Sequence, residues 1–530
     1  MSSLWSAYAG NSSFDELLRA DGQPQDGCDE ILRRLRDLGG DLFERQVAAE
    51  AAIRSMGITF TLYREGASVD RNWPVDVIPR IITTEEWARV SDGLLQRLRA
   101  INLFIDDLYH DQRVIADGVF PGHLLADSVN FRPQCRGVSP AGGVWAHISG
   151  SDLVRDETGT FFVLEDNLRV PSGVVYMLEN RQVSKRVFAE LFRDLDILPV
   201  DEYTDRLAKL LKALSPRTDV DPVVVVLTPG IYNSAYYEHV LLASRTGAHL
   251  VEGSDLVVDD GDVLFMRTVS GLVRVDVMYR RVDDLYLDPE VFLADSVVGV
   301  PGVMRAWAAG NLAIANAPGA GVADDKVVYS FVPDLIRYYL DEEPKIANVP
   351  TWRCDDPDDR AHVLANLDRV VCKPANESGG KGVTIGSRAT AAELAALRID
   401  IESDPRNWVA QPILQLSTAP TICGDQIAPR HVDLRPFILS GPDPYVTVGG
   451  LTRVALREGS LIVNSSQGGG SKDTWIIDPT VTPPRSSTAA VASTTAVAST
   501  TAVASTTAVA STTAVASTTA VSPPRGTSDV

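Results

Sequence analysis

Residues 368–386 read DRVVCKPANESGGKGVTIG. A β-rich run ends at Lys373, a flexible segment holds Gly379, Gly380, Lys381 and Gly382, and a second β-rich run resumes at Val383. Glycines let backbone N–H groups approach phosphate oxygens closely, and a lysine on the adjoining strand adds positive charge, so the pattern suits a nucleotide triphosphate. A Walker A loop is excluded, because GxxxxGK[ST] needs glycine at 375 and Ser or Thr at 382, where the chain has Ala375 and Gly382. A plain hairpin turn would use the same glycines, so the decision passes to the surrounding sequence.

Upstream, residues 144–173 read VWAHISGSDLVRDETGTFFVLEDNLRVPSG, two β-rich runs around the turn-forming Asp156-Glu157-Thr158-Gly159. Side chains alternate along a strand, so Glu165 and Asn167 share a face, and a hairpin loop with an even number of residues places Asp152 on that face too. Three oxygen-bearing groups then converge. Mg²⁺ accepts such hard ligands and completes its shell with water and phosphate oxygens. An exposed charged hairpin is the competing reading, but Glu165 and Asn167 follow the apolar run FFVL, which a solvated face does not need.

Elsewhere, residues 28–56 carry apolar positions at helical spacing, and Thr83-x-x-Glu86 resembles a capping box opening a helix toward His110. From Val223 a buried strand, VVVVL, runs into a TPG loop, a helix through about Arg245 and short strands to Arg281, an α/β unit with its loop where ligands of open parallel sheets sit. Between Leu364 and Leu456 the order strand, glycine loop, strand, helix, strands predicts a mostly antiparallel α+β lobe. The fold class expected is therefore a multi-lobe α+β and α/β protein. Its parts would be an N-terminal helical segment (1–74), a main region (75–480) holding the hairpin (144–173), the α/β unit (220–285) and a nucleotide lobe (310–477), and a tail (481–530). In that tail AVASTT repeats five times from Ala490 to Thr519 between Pro-rich flanks. With only alanine and valine to bury it cannot offset its ordering entropy, and the expectation is a disordered segment.

The balance of 70 acidic against 49 basic residues, formally −21, repels nucleic-acid phosphate and anionic lipid. Five scattered cysteines without a CxxC predict neither disulfides nor a zinc site. No export signal and no run of about 18 apolar residues is visible, so the expected setting is the cytoplasm.

At LEDNLRVPSG, MYRRVDDLYLDP, NAPGAGVADDKVVYSFVP, CKPANESGGKGV, HVDLRPFIL, GGLTRVAL and NSSQGGGSKD the sequence resembles the circularly permuted ATP-grasp group related to glutathionylspermidine synthetase. In ordinary ATP-grasp enzymes the nucleotide lysines precede the metal carboxylates; here the hairpin comes first. The resemblance implies a circularly permuted ATP-grasp fold with a pre-ATP-grasp-like α/β unit. It implies that Asp152, Glu165 and Asn167 hold Mg²⁺, with Mn²⁺ as a substitute, and that Lys326 and Lys373 contact ATP phosphates. The loop Asn376, Glu377, Ser378, Gly379, Gly380, Lys381, Gly382 would close over them, with Gln411 at the adenine hinge. Arg435 and Arg453 would bracket carboxylate or phosphoryl oxygens, although pairing with Asp433 explains Arg435 equally well. A surface ion pair with Asp324 or Asp325 is the competing account of Lys326. Arg281 and Asp283 belong on the substrate side. The activity implied is ATP-dependent ligation of a small-molecule or peptide carboxylate to an amine. The rivals are a non-catalytic nucleotide-binding subunit and a small-molecule kinase. The resemblance also implies association with a helical alpha-E protein and a transglutaminase-like protein.

Because the tail offers no core, a chain ended after Asp478 should melt within about 2 °C of the full chain; a loss of several degrees in a thermal scan would show that the tail docks on the body.

Overall fold

The structure is a computed structural model that describes residues 5, 8, 13–64, 67–377, 380–460, 463 and 469–479. Ser378, Gly379 and the repeat tail lie outside the described residues.

The largest element is a ten-stranded mixed sheet. Its main path runs Ala347–Asn348, Phe161–Asn167, Ile148–Arg155, Gln426–Arg435, Leu451–Val454, Gly470–Ile477, Val75–Thr83. Pairing is antiparallel except at the two ends of this path. The hairpin therefore sits in mid-sheet, not on a solvated flap.

Helices cover the sheet. Thr83 caps the helix Thr84–Tyr109, its hydroxyl accepting from Glu86 N at 3.3 Å, but the Glu86 carboxylate accepts from Arg155 at 2.8 Å. Only half of the predicted capping box forms, because a tertiary cation outbids the local N–H. Leu94, Leu98, Ile101, Phe104, Ile105 and Leu108 of this helix are fully buried, and it packs against the helix Lys326–Leu340. The apolar spacing in residues 28–56 resolves into two helices, Asp29–Leu38 and Asp41–Ser55.

Strands from the stretch expected as an α/β unit form a four-stranded parallel sheet with one strand from beyond its expected end at 285, in the order Ala313–Ala315, Val277–Arg280, Val224–Leu227, His249–Val251. A third sheet, antiparallel, is ordered Trp352–Arg353, Trp408–Pro412, Val370–Pro374, Thr384–Ile385 and backed by the helix Ala391–Ser403. It has its own small core of Cys354, Val363, Leu367, Val370, Cys372, Leu397, Ile401 and Ala410. The stretch Leu364–Leu456 is thus divided rather than forming one lobe: strands up to Pro412 build this small sheet, and those from Thr418 enter the large one. All five cysteines are free thiols. Among the described residues no helix is long and apolar enough to cross a membrane.

The strands that carry Arg435 and Arg453 meet at a crowded point. A Cβ on Gly450 would lie 2.6 Å from Arg435 O and from Pro436 N. Gly450→Ala should therefore cost about 1–3 kcal/mol, read as a lower urea midpoint at unchanged m-value.

Candidate active site

Strand alternation gathers charge on one face of the large sheet. Leu434 pairs with Leu153, which sets Arg435 beside Asp152, and Asp433 pairs directly with Arg453. Asp152 in turn opposes Glu165. Four neighbouring strands thus present Glu165, Asp152, Arg435 with Asp433, and Arg453 in a row.

Asp152 is almost fully buried and shared by both arginines: Arg435 grips both of its oxygens, with Nη2 to Oδ2 at 2.7 Å, and Arg453 Nη2 reaches Oδ2 at 2.6 Å. Burial alone would raise its pKa, but the two guanidinium charges outweigh that and hold the carboxyl well below the usual range. Asp433 accepts from Arg453 Nε at 2.9 Å, yet burial and the Asp152 charge leave its pKa raised. Arg435 is therefore paired with Asp152, and it is Arg453 that takes Asp433.

The small sheet closes over this face. Between the two lies a cleft of about 990 Å³, counted to its open mouth. Asp152, Glu165, Lys326, Lys373, Asp433 and Arg453 line its polar end, and Val371, Ile385 and the segment Pro412–Leu414 help to form an apolar slot. Lys373 comes from the small sheet and donates to Gln411 Oε1 at 2.6 Å; Gln411 donates onward to Thr351 at 3.0 Å. Gln411 thus sits at the polar end of the slot, and the residues after it form the apolar wall. Burial pushes the Lys373 ammonium down to about 8, and nearby Lys326 adds to the shift against the pull of Glu165 and Asp152. Lys326 opens its helix after Asp325, which caps Val327 N at 2.9 Å. Its ammonium lies 3.7 Å from Glu165 and donates to Glu377 O. The ion-pair reading with Asp324 or Asp325 does not describe it: Asp324 is bound by Arg169 at 2.6 Å and Asp325 by Arg406 at 2.6 Å.

The other predicted residues are less direct. Gly380 and Gly382 have φ of +76° and +71°, and a Cβ at 382 would meet Pro374 Cγ at 2.7 Å, so this turn needs glycine. Lys381 borders the cleft, mostly exposed, 3.3 Å from Glu377. Asn376 is turned aside, donating to Asn407 at 2.8 Å and accepting from Asn130 at 3.4 Å. Asn167 lies opposite Gly150, on the face that carries Glu165, and donates to Gly150 O at 3.4 Å. Arg281 has no exposed side-chain surface; it donates to Pro171 O, Tyr279 Oη, Ser172 Oγ and Glu238 at 2.6–2.9 Å. Ser172 O accepts from Arg435 at 3.3 Å, so Arg281 stands one residue behind the guanidinium row. Asp283 caps Leu285 N at 3.1 Å and accepts from Arg169 at 3.1 Å.

Among the described residues no three His, Cys, Asp or Glu side chains converge as a ready cation site. Asp152, Glu165 and Asp433 face the cleft and Asn167 shares the strand face of Glu165, all oxygen ligands, with the Asp152 oxygens already held by Arg435 and Arg453. That set fits a hard cation that takes its remaining ligands from water and phosphate. Sequence reasoning missed the apolar wall and the standing of Asp433 as a cleft residue. The i,i+2 spacing of Asp433 and Arg435 on a strand is the signal that places both on one face.

The sequence pattern of the circularly permuted ATP-grasp type 2 family matches residues 79–455. An uncharacterized protein of Synechocystis is 51% identical over 473 residues, 89% of this chain and 98% of that one. A Frankia casuarinae protein named as a candidate glutamate–cysteine ligase is 43% identical over 467 residues, covering 88% of this chain but only 54% of its own length. Among solved structures, a glutathione synthetase-like effector from Globodera pallida superposes with a TM-score of 0.53 at 12% identity, over 82% of this chain and 96% of that one, a likeness of fold.

The lowered pKa of Lys373 offers a test of anion binding. A phosphate bound beside it would stabilise its charged form and raise its pKa, so proton uptake on binding near pH 8, and weaker binding as pH rises further, are expected. Calorimetry of ADP binding at pH 8, in two buffers of different ionisation enthalpy, should show uptake of about half a proton, absent in Lys373→Met. Equal heats in both buffers would remove Lys373 from the phosphate site.

Proposed function

The chain belongs to the circularly permuted ATP-grasp type 2 family, and from that premise we propose that it is an ATP-dependent ligase that joins a carboxylate to an amine through an acyl-phosphate. The observation that carries this reading is the row of Arg435 and Arg453 beside the oxygen-ligand hairpin, facing two lysines across one cleft.

A carboxylate is a poor acyl donor because its leaving group would be oxide. One of its oxygens attacks the γ-phosphorus of ATP, the bond to the bridging oxygen breaks, and ADP leaves. The amine then attacks the carbonyl carbon, loses a proton, and inorganic phosphate departs with the electron pair of the broken C–O bond. Phosphoryl transfer of this kind depends on positioning and charge neutralisation. In this reading Lys326 and Lys373 hold the phosphates, the turn at Gly380–Gly382 covers them, and the apolar wall from Pro412 takes the adenine. Arg435 and Arg453 stabilise the oxygens on which charge builds during both steps. Asp152, Glu165 and Asn167 would hold Mg²⁺ or Mn²⁺, which supplies charge neutralisation at the β- and γ-phosphates when bound.

The Frankia relative makes glutamate, cysteine and small γ-glutamyl peptides the first substrates to try, and a peptide-modifying pathway with alpha-E and transglutaminase-like partners is part of the same proposal. Purified protein with ATP, Mg²⁺ and pools of these compounds should release ADP and phosphate only when acid and amine are both present. Hydroxylamine in place of the amine should trap a hydroxamate. ADP formation with a phosphorylated hydroxyl product and no phosphate release would establish the kinase instead. No turnover with any pool, alongside tight ATP binding, would favour a regulatory subunit. Arg435→Ala should lower turnover by about 100-fold or more while changing ATP affinity little, since the guanidinium is needed where charge develops. An equal loss in both would place Arg435 with the nucleotide alone.

A further inference from the structure

Two registers of the acidic hairpin, one continued in step from its loop and one shifted by a residue, would put different carboxylates on the cleft, and the structure holds the shifted one. Its loop, residues 156–160, is odd in number, and from it the pairs Arg155 with Phe161, Val154 with Phe162 and Leu153 with Val163 run in step. Kept in step, Asp152 would oppose Leu164; Asp166 would then take the cleft face while Glu165 and Asn167 turned inward. The strand instead shifts by one residue between Asp152 and Leu153, so that Asp152 opposes Glu165, Ser151 opposes Asp166 and Gly150 opposes Asn167. The even-loop rule thus reaches the right face only because a bulge at Leu164 restores the parity that the odd loop removes.

A bulge costs ladder hydrogen bonds and persists where the surroundings hold it. Here the holder is visible on the sheet's other face. Arg97, on the helix Thr84–Tyr109, is fully buried and binds Asp166 through Nε at 2.8 Å and Nη2 at 2.6 Å. Ser151 Oγ donates to the other Asp166 oxygen at 2.8 Å. Arg97 Nη1 donates to Asn348 at 2.6 Å, and Asn348 lies on the strand paired with Phe162 and Val163. The guanidinium also lies 5.3 Å from the centre of the Tyr329 ring, whose hydroxyl donates to Val163 O at 2.6 Å. In the unshifted register this cation would be buried without its carboxylate, a state strongly disfavoured in a dry interior.

We infer that Arg97, acting through Asp166, is a positioning residue that selects the bulged register and thereby decides that Glu165 and Asn167, not Asp166, face the bound cation. The inference rests on the proposed reading of that face as the cation site.

The test is the Mn²⁺ affinity of the ADP complex, measured by electron paramagnetic resonance, beside ADP affinity without metal. Arg97→Met should weaken Mn²⁺ by about tenfold or more, as loss of a ligand's supporting partner does, and leave metal-free ADP binding within about twofold. The pair Arg97→Met with Asp166→Leu should recover most of that loss, because an apolar residue at 166 again prefers the inner face. Unchanged Mn²⁺ affinity in Arg97→Met, or a double variant no better than the single one, overturns the inference. If the parent protein binds no Mn²⁺ with ADP, the functional reading falls, and the register is still readable by thiol labelling. Glu165→Cys, in a background with Cys423→Ser, should react with a maleimide at least about tenfold faster than the same variant carrying Arg97→Met, and equal rates would overturn the clamp.

Discussion

Asp152 cannot be buried alone. An isolated carboxylate in a dry sheet would cost several kcal/mol, and this one is stabilised by two guanidiniums that come from 283 and 301 residues further along the chain. Satisfying it requires the strands Ile148–Arg155, Gln426–Arg435 and Leu451–Val454 to lie side by side with their alternation in phase. Once they do, Asp433 falls on the same face, and the one-residue shift in the hairpin brings Glu165 there as well.

The consequence for function is electrostatic. Asp152, Glu165, Glu377 and Asp433 line the cleft together with Lys326, Lys373, Lys381 and Arg453, and Arg435 grips Asp152, so the acidic excess of a protein of formal charge −21 is cancelled here. A polyanion that the surface at large repels meets no such excess of negative charge here. Burial adds a preference for an anion, since Lys373 is destabilised as a cation until an anion joins it.

The order of parts along the chain is free to vary because a sheet depends on which strands are neighbours, not on which comes first. The strand Val75–Thr83 pairs in parallel with Gly470–Ile477, so the first and last strands of the main body are neighbours, with Val75 beside Ser471 and Ile477 beside Thr83. Joining them would take a crossover along the strands, but the neighbours in the sheet, and with them the cleft, would stay the same whichever strand comes first.

Local patterning determined a good deal by itself. Strand alternation paired Glu165 with Asn167, the Thr83 cap opened the long helix, the run VVVVL became a parallel strand, and the glycines at 380 and 382 marked a turn that no other residue fits. These features are legible because they follow from a few neighbouring residues and from a period of two or 3.6. What the tertiary structure alone decided is long-range: that Leu364–Leu456 is split between two sheets, that Glu86 answers Arg155 rather than its own helix, that Arg435 holds Asp152 while Arg453 holds Asp433, and that a bulge corrects the parity of an odd loop. The last three turn on a charge finding its partner across tens to hundreds of residues, or on a register one residue wide, and neither leaves a periodic trace in the sequence.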